Sequence, residues 1–425
     1  MNPKEKGWLR AYLEFRKELL KDTGTKEIKK GSHPEQSLYR MVQPTGLMYG
    51  QYVGSFSHPG EDSWGEKDRV KILLAESLIS SSLLYSDKPV NSPDEITNVI
   101  MKTMESIGHF YNNIFPELAT PSKTLFGKKR TPLEIAEKIL DKRIEQTPEF
   151  ENNFWSNFFH NSLLFLDVFI FGQWIHTNAD RIVADFFRYE RDELRFSVVK
   201  VIAAASHANK DVAFEEKKLF ELFIKSTNLS SEKRKEALKI FEAGVSIEDI
   251  NLPSENSWIL KKFFLEMAIL TIWADKKFEQ PEMDFLKRFA AYLSFSDEDL
   301  ENSLIAIEGF VLEHWDHLDY LQNKQDYNQV SEQFIKRISK IAEKNKGRLL
   351  KELQGSTELM ALLKKARTNE LTAEENEKMR VELIQMLKEV PTFVIIALPQ
   401  KFLTLPILLK ILPRNIFAEG MTEAH

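Results

Sequence analysis

Ser197-Val-Val-Lys-Val-Ile-Ala-Ala-Ala-Ser-His-Ala-Asn-Lys-Asp-Val-Ala-Phe-Glu-Glu-Lys-Lys-Leu-Phe220 aligns without a gap on Phe263-Phe-Leu-Glu-Met-Ala-Ile-Leu-Thr-Ile-Trp-Ala-Asp-Lys-Lys-Phe-Glu-Gln-Pro-Glu-Met-Asp-Phe-Leu286. Each copy runs as an apolar helix to an alanine (Ala208, Ala274), turns through polar residues, and places a glutamate (Glu216, Glu282) in the first turn of the next helix. Ser230 and Ser296 then open a third helix in each copy, with Asp299 positioned to help Ser296 cap it. Two helical hairpins of one design predict packing about a pseudo-twofold, with the alanine-rich faces of the first helices buried together. The fold class that follows is all-α: a multi-domain helical protein around a central duplicated hairpin domain.

The composition agrees. In 425 residues, 43% are hydrophobic and 29% charged, which is globular rather than disordered, while only 16 Gly and 16 Pro leave room for long regular helices. This length carries a prior of several domains. The boundaries read as 1–194 (N-terminal helical domain), 195–312 (duplicated domain), 313–370 (charged helical connector) and 371–425 (amphipathic helix and hydrophobic tail). A net charge of −6 argues against a specific nucleic-acid binder, and the absence of cysteine excludes disulfides, thiolate metal sites and cysteine nucleophiles. Met1-Asn-Pro-Lys-Glu-Lys-Gly-Trp-Leu-Arg10 has no apolar core of signal-peptide length, so a cytoplasmic or inner-membrane-facing location is expected.

Residues 2–30 read as an amphipathic basic helix carrying Trp8, Leu9, Tyr12 and Leu13, and Gly31 to Asp68 as a loop punctuated by proline and glycine. Helices resume at Val70–Tyr85 and Ile96–Phe115, and Pro132 opens another. Phe154 to Ile175 is apolar almost all round, but Asp167 at its centre favours a buried core helix over a membrane span. Glu76, Glu105, His109, His160 and Asp167 are the ionisable groups of these apolar helices. Converged in one cavity they would make a bundle metal site, hence a metal-dependent enzyme or metal store; as separate polar positions they would be half-exposed or hydrogen-bonded core groups.

Near the other end, Thr372 and Glu375 form a capping-box pattern. The helix that follows puts Met379, Leu383, Met386, Leu387 and Val390 on one face. It feeds into Pro391-Thr-Phe393 and a hydrophobic stretch broken by Pro399, Lys401, Pro406 and Lys410 before Pro413. That stretch matches the ~20 residues a span needs, yet a central lysine costs about 2.5 to 3.5 kcal/mol and interior prolines remove hydrogen bonds that lipid cannot replace. Two half-helices, or something other than a simple span, is the expectation. Upstream, the Lys- and Arg-rich run from Lys336 to Lys351 suits lipid headgroups or a solvated helix face.

The block from Val381 through Leu-Pro-Arg-Asn415 to Phe417 resembles the membrane segment of the LETM family, leucine-zipper, EF-hand-containing transmembrane proteins, in its proline placement and closing phrase. No EF-hand loop accompanies it. The unit Ala-Asp-Lys-Lys-x-x-x-x-Glu282 resembles the Ala-Asp-Gly-x-x-x-x-x-Glu signature of tellurite-resistance TerB-like domains, which are helical and duplicated. That resemblance implies a divalent-cation site, calcium or similar, at Asp275, Glu279 and Glu282, with Asn209 and Glu216 as the first-repeat counterpart. The competing reading is that each glutamate stabilises the N-terminus of its helix.

No nucleophile elbow, Walker loop, dinucleotide glycine pattern or zinc-ligand run is present, so a non-enzymatic role is expected. Taken together, the two resemblances imply a bacterial protein associated with or inserted in the inner membrane. It would serve, as a monomer or an oligomer, as a cation-responsive or protein-interaction scaffold in ion homeostasis, envelope stress or biofilm attachment. Cation transport or ribosome binding follows only from analogy with LETM proteins.

Overall fold

The computed structural model describes residues 1–23, 34–42, 47–49, 58–85, 92–123, 127–145, 154–177, 184–209, 212, 214–227, 229–252, 257–273, 279–317, 324–388, 390, 393, 398, 400–413 and 415–418. Among them 82% are helical, in 17 α-helices, and there is no strand. The chain forms two compact units, Met1–Leu293 and Ser294–His425.

The first unit holds α1 (Trp8–Thr23), α2 (Pro34–Val42), α3 (Glu66–Leu84), α4 (Pro93–Ile114), α5 (Pro132–Glu145), α6 (Phe154–His176), α7 (Ala184–Ser206), α8 (Phe214–Ser226), α9 (Ser231–Ala243), α10 (Trp258–Ile272) and α11 (Gln280–Tyr292). Local chemistry sets these starts. Ser92 caps α4 by accepting from the Glu95 N–H while Glu95 answers the Ser92 N–H, and Pro93 occupies the position where a missing N–H costs nothing. Thr131 and Glu134 do the same for α5 behind Pro132.

Two helices are apolar on every side and must be covered on every side. From Asn161 to Gly172 every residue of α6 is buried, and so is every residue of α10 from Ile259 to Ile272 except Lys261. α3, α7 and α8 pack on α6, and α7, α2 and α11 pack on α10. Gly172 lets α6 come close to α3: a Cβ there would meet the Tyr85 ring at 2.8 Å and the Ser81 hydroxyl at 2.9 Å.

The stretch expected to be a loop between Gly31 and Asp68 contains α2 and two short 3-10 turns, Leu47–Tyr49 and Glu61–Ser63. Its helix forms because Leu38, Tyr39 and Val42 present one buried face, and because α10 needs it. Glu35 accepts from the Ile259 N–H at 3.1 Å, capping α10 alongside Ser257, and Tyr39 donates to the buried Glu266 carboxylate. Proline and glycine mark where α2 begins and ends, not the absence of a helix.

The duplication is visible in the helix boundaries. α7 and α10 end at Ser206 and Ile272, α8 and α11 begin at Phe214 and Gln280 and end at Ser226 and Tyr292, each pair 66 positions apart. The third helices, α9 and α12 (Asp297–Glu313), keep that offset with N-caps Ser230 and Ser296, both accepting from the N–H three residues on. Packing is closest between the two first helices, α7 against α10.

The second unit comprises α12, α13 (Lys324–Lys344), α14 (Lys346–Gly355), α15 (Thr357–Thr368), α16 (Ala373–Lys388) and α17 (Leu405–Ile411). The predicted capping box at Thr372 and Glu375 starts α16, whose Met379, Leu383, Met386 and Leu387 are all buried. Between α12 and α13, Arg337 pairs with Glu308 at 2.8 Å. Burial pushes the Glu308 carboxyl up to about 7, more than Arg337 draws it down, and Glu301 adds like charge.

A raised carboxyl favours the protonated folded state, so its stabilising contribution is complete below pH ~4.3 and is lost as pH climbs through 7. The second unit is therefore expected to lose stability, by at most about 3 kcal/mol, between pH ~5 and ~8. Glu308→Gln should flatten that slope in denaturant titrations at a series of pH values.

Candidate functional site

The turn after α7 carries His207, Ala208 and Asn209. His207 bonds through Nε2 to the Phe241 carbonyl at 2.6 Å, and a Cβ added at Gly244, whose φ is +76°, would come within 3.4 Å of that ring. This anchors the turn against α9, and Asn209 reaches across to the other repeat. Its Nδ2 donates to Oε1 of Glu282 at 3.3 Å. The second oxygen of Glu282 accepts the Glu279 N–H at 2.8 Å, completing a capping box at the start of α11. Glu282 and its repeat counterpart Glu216 are both fully buried.

Of the expected cation ligands, the structure thus brings Asn209 and Glu282 together, while Glu279 is exposed and Asp275 lies outside the described residues. No group of three or more His, Asp or Glu side chains placed to hold a metal occurs among the described residues. Glu282 does two mechanical jobs. It satisfies a free N–H at a helix start, and it ties the first repeat's turn to the second repeat's second helix.

Of the five ionisable groups of the N-terminal helices, the four whose side chains are described do not converge. Glu76 is held by Tyr12 and Arg16 of α1. Glu105 and His109 are exposed on α4, and the His160 side chain lies outside the described residues. Asp167 is 1% exposed and receives Nε of Arg143 at 2.6 Å, Nη2 at 3.4 Å and the Tyr111 hydroxyl at 3.2 Å. Burial and then the negative charge of Asp167 raise the Tyr111 phenol well above its ordinary value, so it remains a donor. This is an ion pair built into the core, and it explains why an otherwise apolar helix carries a carboxylate.

Sequence reading passed over the basic partners. On α7, Arg188, Arg191 and Arg195 share one face. Arg188 and Arg191 donate to the last carbonyls of α4, those of Asn113 at 2.5 Å and Ile114 at 2.6 Å, where the helix dipole is negative. The signal was the i, i+3, i+7 spacing of three arginines leading into an otherwise apolar helix.

Around the tail, Pro391 and Pro399 lie outside the described residues. Phe393 is 5% exposed. Lys401 pairs with Asp316 at 2.7 Å, and its ammonium sits 5.8 Å from the Tyr327 ring centroid. Pro406 occupies the first turn of α17, where proline is tolerated, and the helix ends one residue before the extended Leu412 that precedes buried Pro413. Leu408 and Ile411 are fully buried as α17 packs on α13 and α16, and the Ser339 hydroxyl donates to the Lys410 carbonyl at 3.1 Å. Lys410 itself is exposed. Among the described residues no helix is long and apolar enough to cross a membrane.

Comparison with family models, with curated proteins and with solved structures finds no match to this chain.

Breaking a buried ion pair from one side leaves an uncompensated charge and costs about 3–5 kcal/mol. Asp167→Leu should therefore destabilise the first unit by about that much, and adding Arg143→Met should recover most of it. Chemical denaturation of the two variants beside the parent protein measures this.

Proposed function

We propose that this protein is a non-enzymatic helical scaffold whose second unit docks on an anionic membrane surface. The observation that carries the proposal is the basic face of α13 and α14. From Lys336 to Lys351, seven cationic residues accompany one carboxylate, Glu343, in a chain whose net charge is −6. Lys336, Lys340 and Lys344 recur every fourth residue on α13, opposite the buried Phe334, Ile338 and Ala342, and Arg348 and Lys351 continue onto α14. All five are exposed, and none forms an ion pair with another described residue.

Beside this stripe α17 contributes exposed Lys410 and Leu409, the latter 43% exposed. A cationic face edged by one apolar side chain suits phospholipid headgroups, with each lysine near the surface contributing about 1 kcal/mol. The hydrophobic tail then acts as a packed element beneath the docking face, its Lys401 neutralised by Asp316, rather than as a span. The LETM-like proline spacing and TerB-like duplication support the same setting, the cytoplasmic side of a bacterial inner membrane. A role in ion homeostasis, envelope stress or attachment is the corresponding biological proposal. For the duplicated domain, the Asn209–Glu282 link supports a scaffold role over a cation site, since both oxygens of Glu282 already accept hydrogen bonds.

Vesicle co-sedimentation tests the docking. The full chain should bind phosphatidylglycerol-containing vesicles and not pure phosphatidylcholine, with binding lost at high salt. Replacing Lys336, Lys340 and Lys344 by Gln together should weaken it about a hundredfold. Equal binding to neutral vesicles, or unchanged binding of the triple variant, would overturn the proposal.

A further inference from the structure

One of the cationic residues between Lys336 and Lys351 is not free to meet a lipid headgroup. Arg337 donates through Nη1 to Oε2 of Glu308 at 2.8 Å. The two partners stand in different surroundings. The Glu308 side chain is 3% exposed, where α12 packs on α13, whereas that of Arg337 is 39% exposed. The guanidinium therefore reaches the surface, and the carboxylate that cancels its charge does not.

Helical register puts Arg337 at the border of the basic stripe. It precedes Lys340 by three residues and Lys344 by seven, nearly two full turns, so its Cβ lies almost in line with that of Lys344. On the opposite flank the Ser339 hydroxyl bonds the Lys410 carbonyl of α17. Lys336, Lys340 and Lys344 thus run between α17 on one side and the Arg337–Glu308 pair on the other. Burial penalises the charge of Glu308 far more than that of half-exposed Arg337, so the carboxylate is the member of the pair that a proton neutralises. Desolvation pushes the Glu308 carboxyl up to about 7 against the pull of Arg337, and the like charge of Glu301 on the same helix adds to the rise. Arg337 from α13 and Glu301 from α12 are the charges that act on it. His314 lies further along, at the C-cap of α12, with its ring 4.7 Å from that of Phe310.

We propose that Glu308 is a proton-operated switch on the docking face: protonated, it releases Arg337 as a further cation for an anionic bilayer, and ionised, it withdraws that cation into a neutral pair. The inference rests on the membrane-docking reading of α13 and α14. Protonation changes the face by one positive charge, beside three lysines already turned to the surface. Linkage acts in both directions, since the negative surface that attracts Arg337 also favours the protonated carboxyl. Docking therefore tightens as pH falls through neutrality.

The test is co-sedimentation of the full chain with phosphatidylglycerol vesicles, whose phosphate stays ionised throughout, at pH 6 and at pH 8. One cation near the surface is worth about fivefold in affinity, of which about threefold should fall between these two pH values. Glu308→Gln keeps the side-chain volume and leaves Arg337 unpaired at every pH, so it should bind at both as the parent does at pH 6. Arg337→Gln should bind at both as the parent does at pH 8. Far-UV circular dichroism of the same samples separates a change in docking from a change in folding. Equal binding of the folded parent at the two pH values refutes the switch and leaves the docking face standing. A step of undiminished size in Glu308→Gln, as a histidine would produce, does the same. Absence of binding at both pH values refutes docking and switch together.

Discussion

The constraint on which this structure depends is that a helix with no polar face has to be enclosed. α6 and α10 are such helices, and each fully buried large side chain on them contributes about 1.5–3 kcal/mol when water is removed from it. Enclosure needs neighbours on all sides. This is why α7 lies along α10, why α3 and α8 cover α6, and why nine residues of α2 fold onto a distant part of the chain. It also dictates where polar groups go. Asp167, Glu266 and Lys262 interrupt the apolar helices, and Asp167 and Glu266 are met by a specific partner, Arg143 and Tyr39 respectively, because an unmatched group at that depth would cost more than the packing returns.

The repeat supplies those walls economically, since one design gives two long first helices that pack on each other. It is not used symmetrically. Asn209 of the first turn bonds Glu282 of the second repeat, and Arg195 of α7 aligns with half-buried Lys261 of α10. Substitutions of this kind turn a duplicated scaffold into one with distinct ends. The arginine face of α7 meets the carbonyl ends of α4 and α8, so the dipoles of two helices converge on one basic stripe.

Much of this architecture was legible because it is periodic. The gapless alignment located the turns, and Ser230, Ser296 and Thr372 marked helix starts through chemistry that acts within three residues. What stayed hidden acts over long separations. Nothing local in Pro34–Val42 says that Tyr39 will reach Glu266, and proline and glycine around it look the same whether they end a helix or fill a loop. The candidate site was legible in part. Glutamates at helix starts were identified, but Glu282 binds its own helix N–H and Asn209, a use that shared spacing cannot distinguish from ligation. Of the carboxylates and histidines that read as a bundle metal site, Glu76 and Asp167 instead take arginine partners, Arg16 and Arg143, 60 and 24 positions away.

The hydrophobic tail is the same constraint met again in the second unit. Its described part includes a seven-residue helix that carries a tolerated proline in its first turn, buries Leu408 and Ile411 against α13 and α16, and keeps Lys410 outside. Apolar length here reflects what it packs on, as it does for α6. Hydrogen exchange on the full chain without lipid tests this most directly. The amides of Leu408 and Leu412, which bond to the Thr404 and Leu408 carbonyls at 3.0 and 3.1 Å, should be protected to a degree comparable with those of α13. Exchange of those amides at free-peptide rates while α13 stays protected would contradict the account and return the tail to the status of a segment awaiting a bilayer.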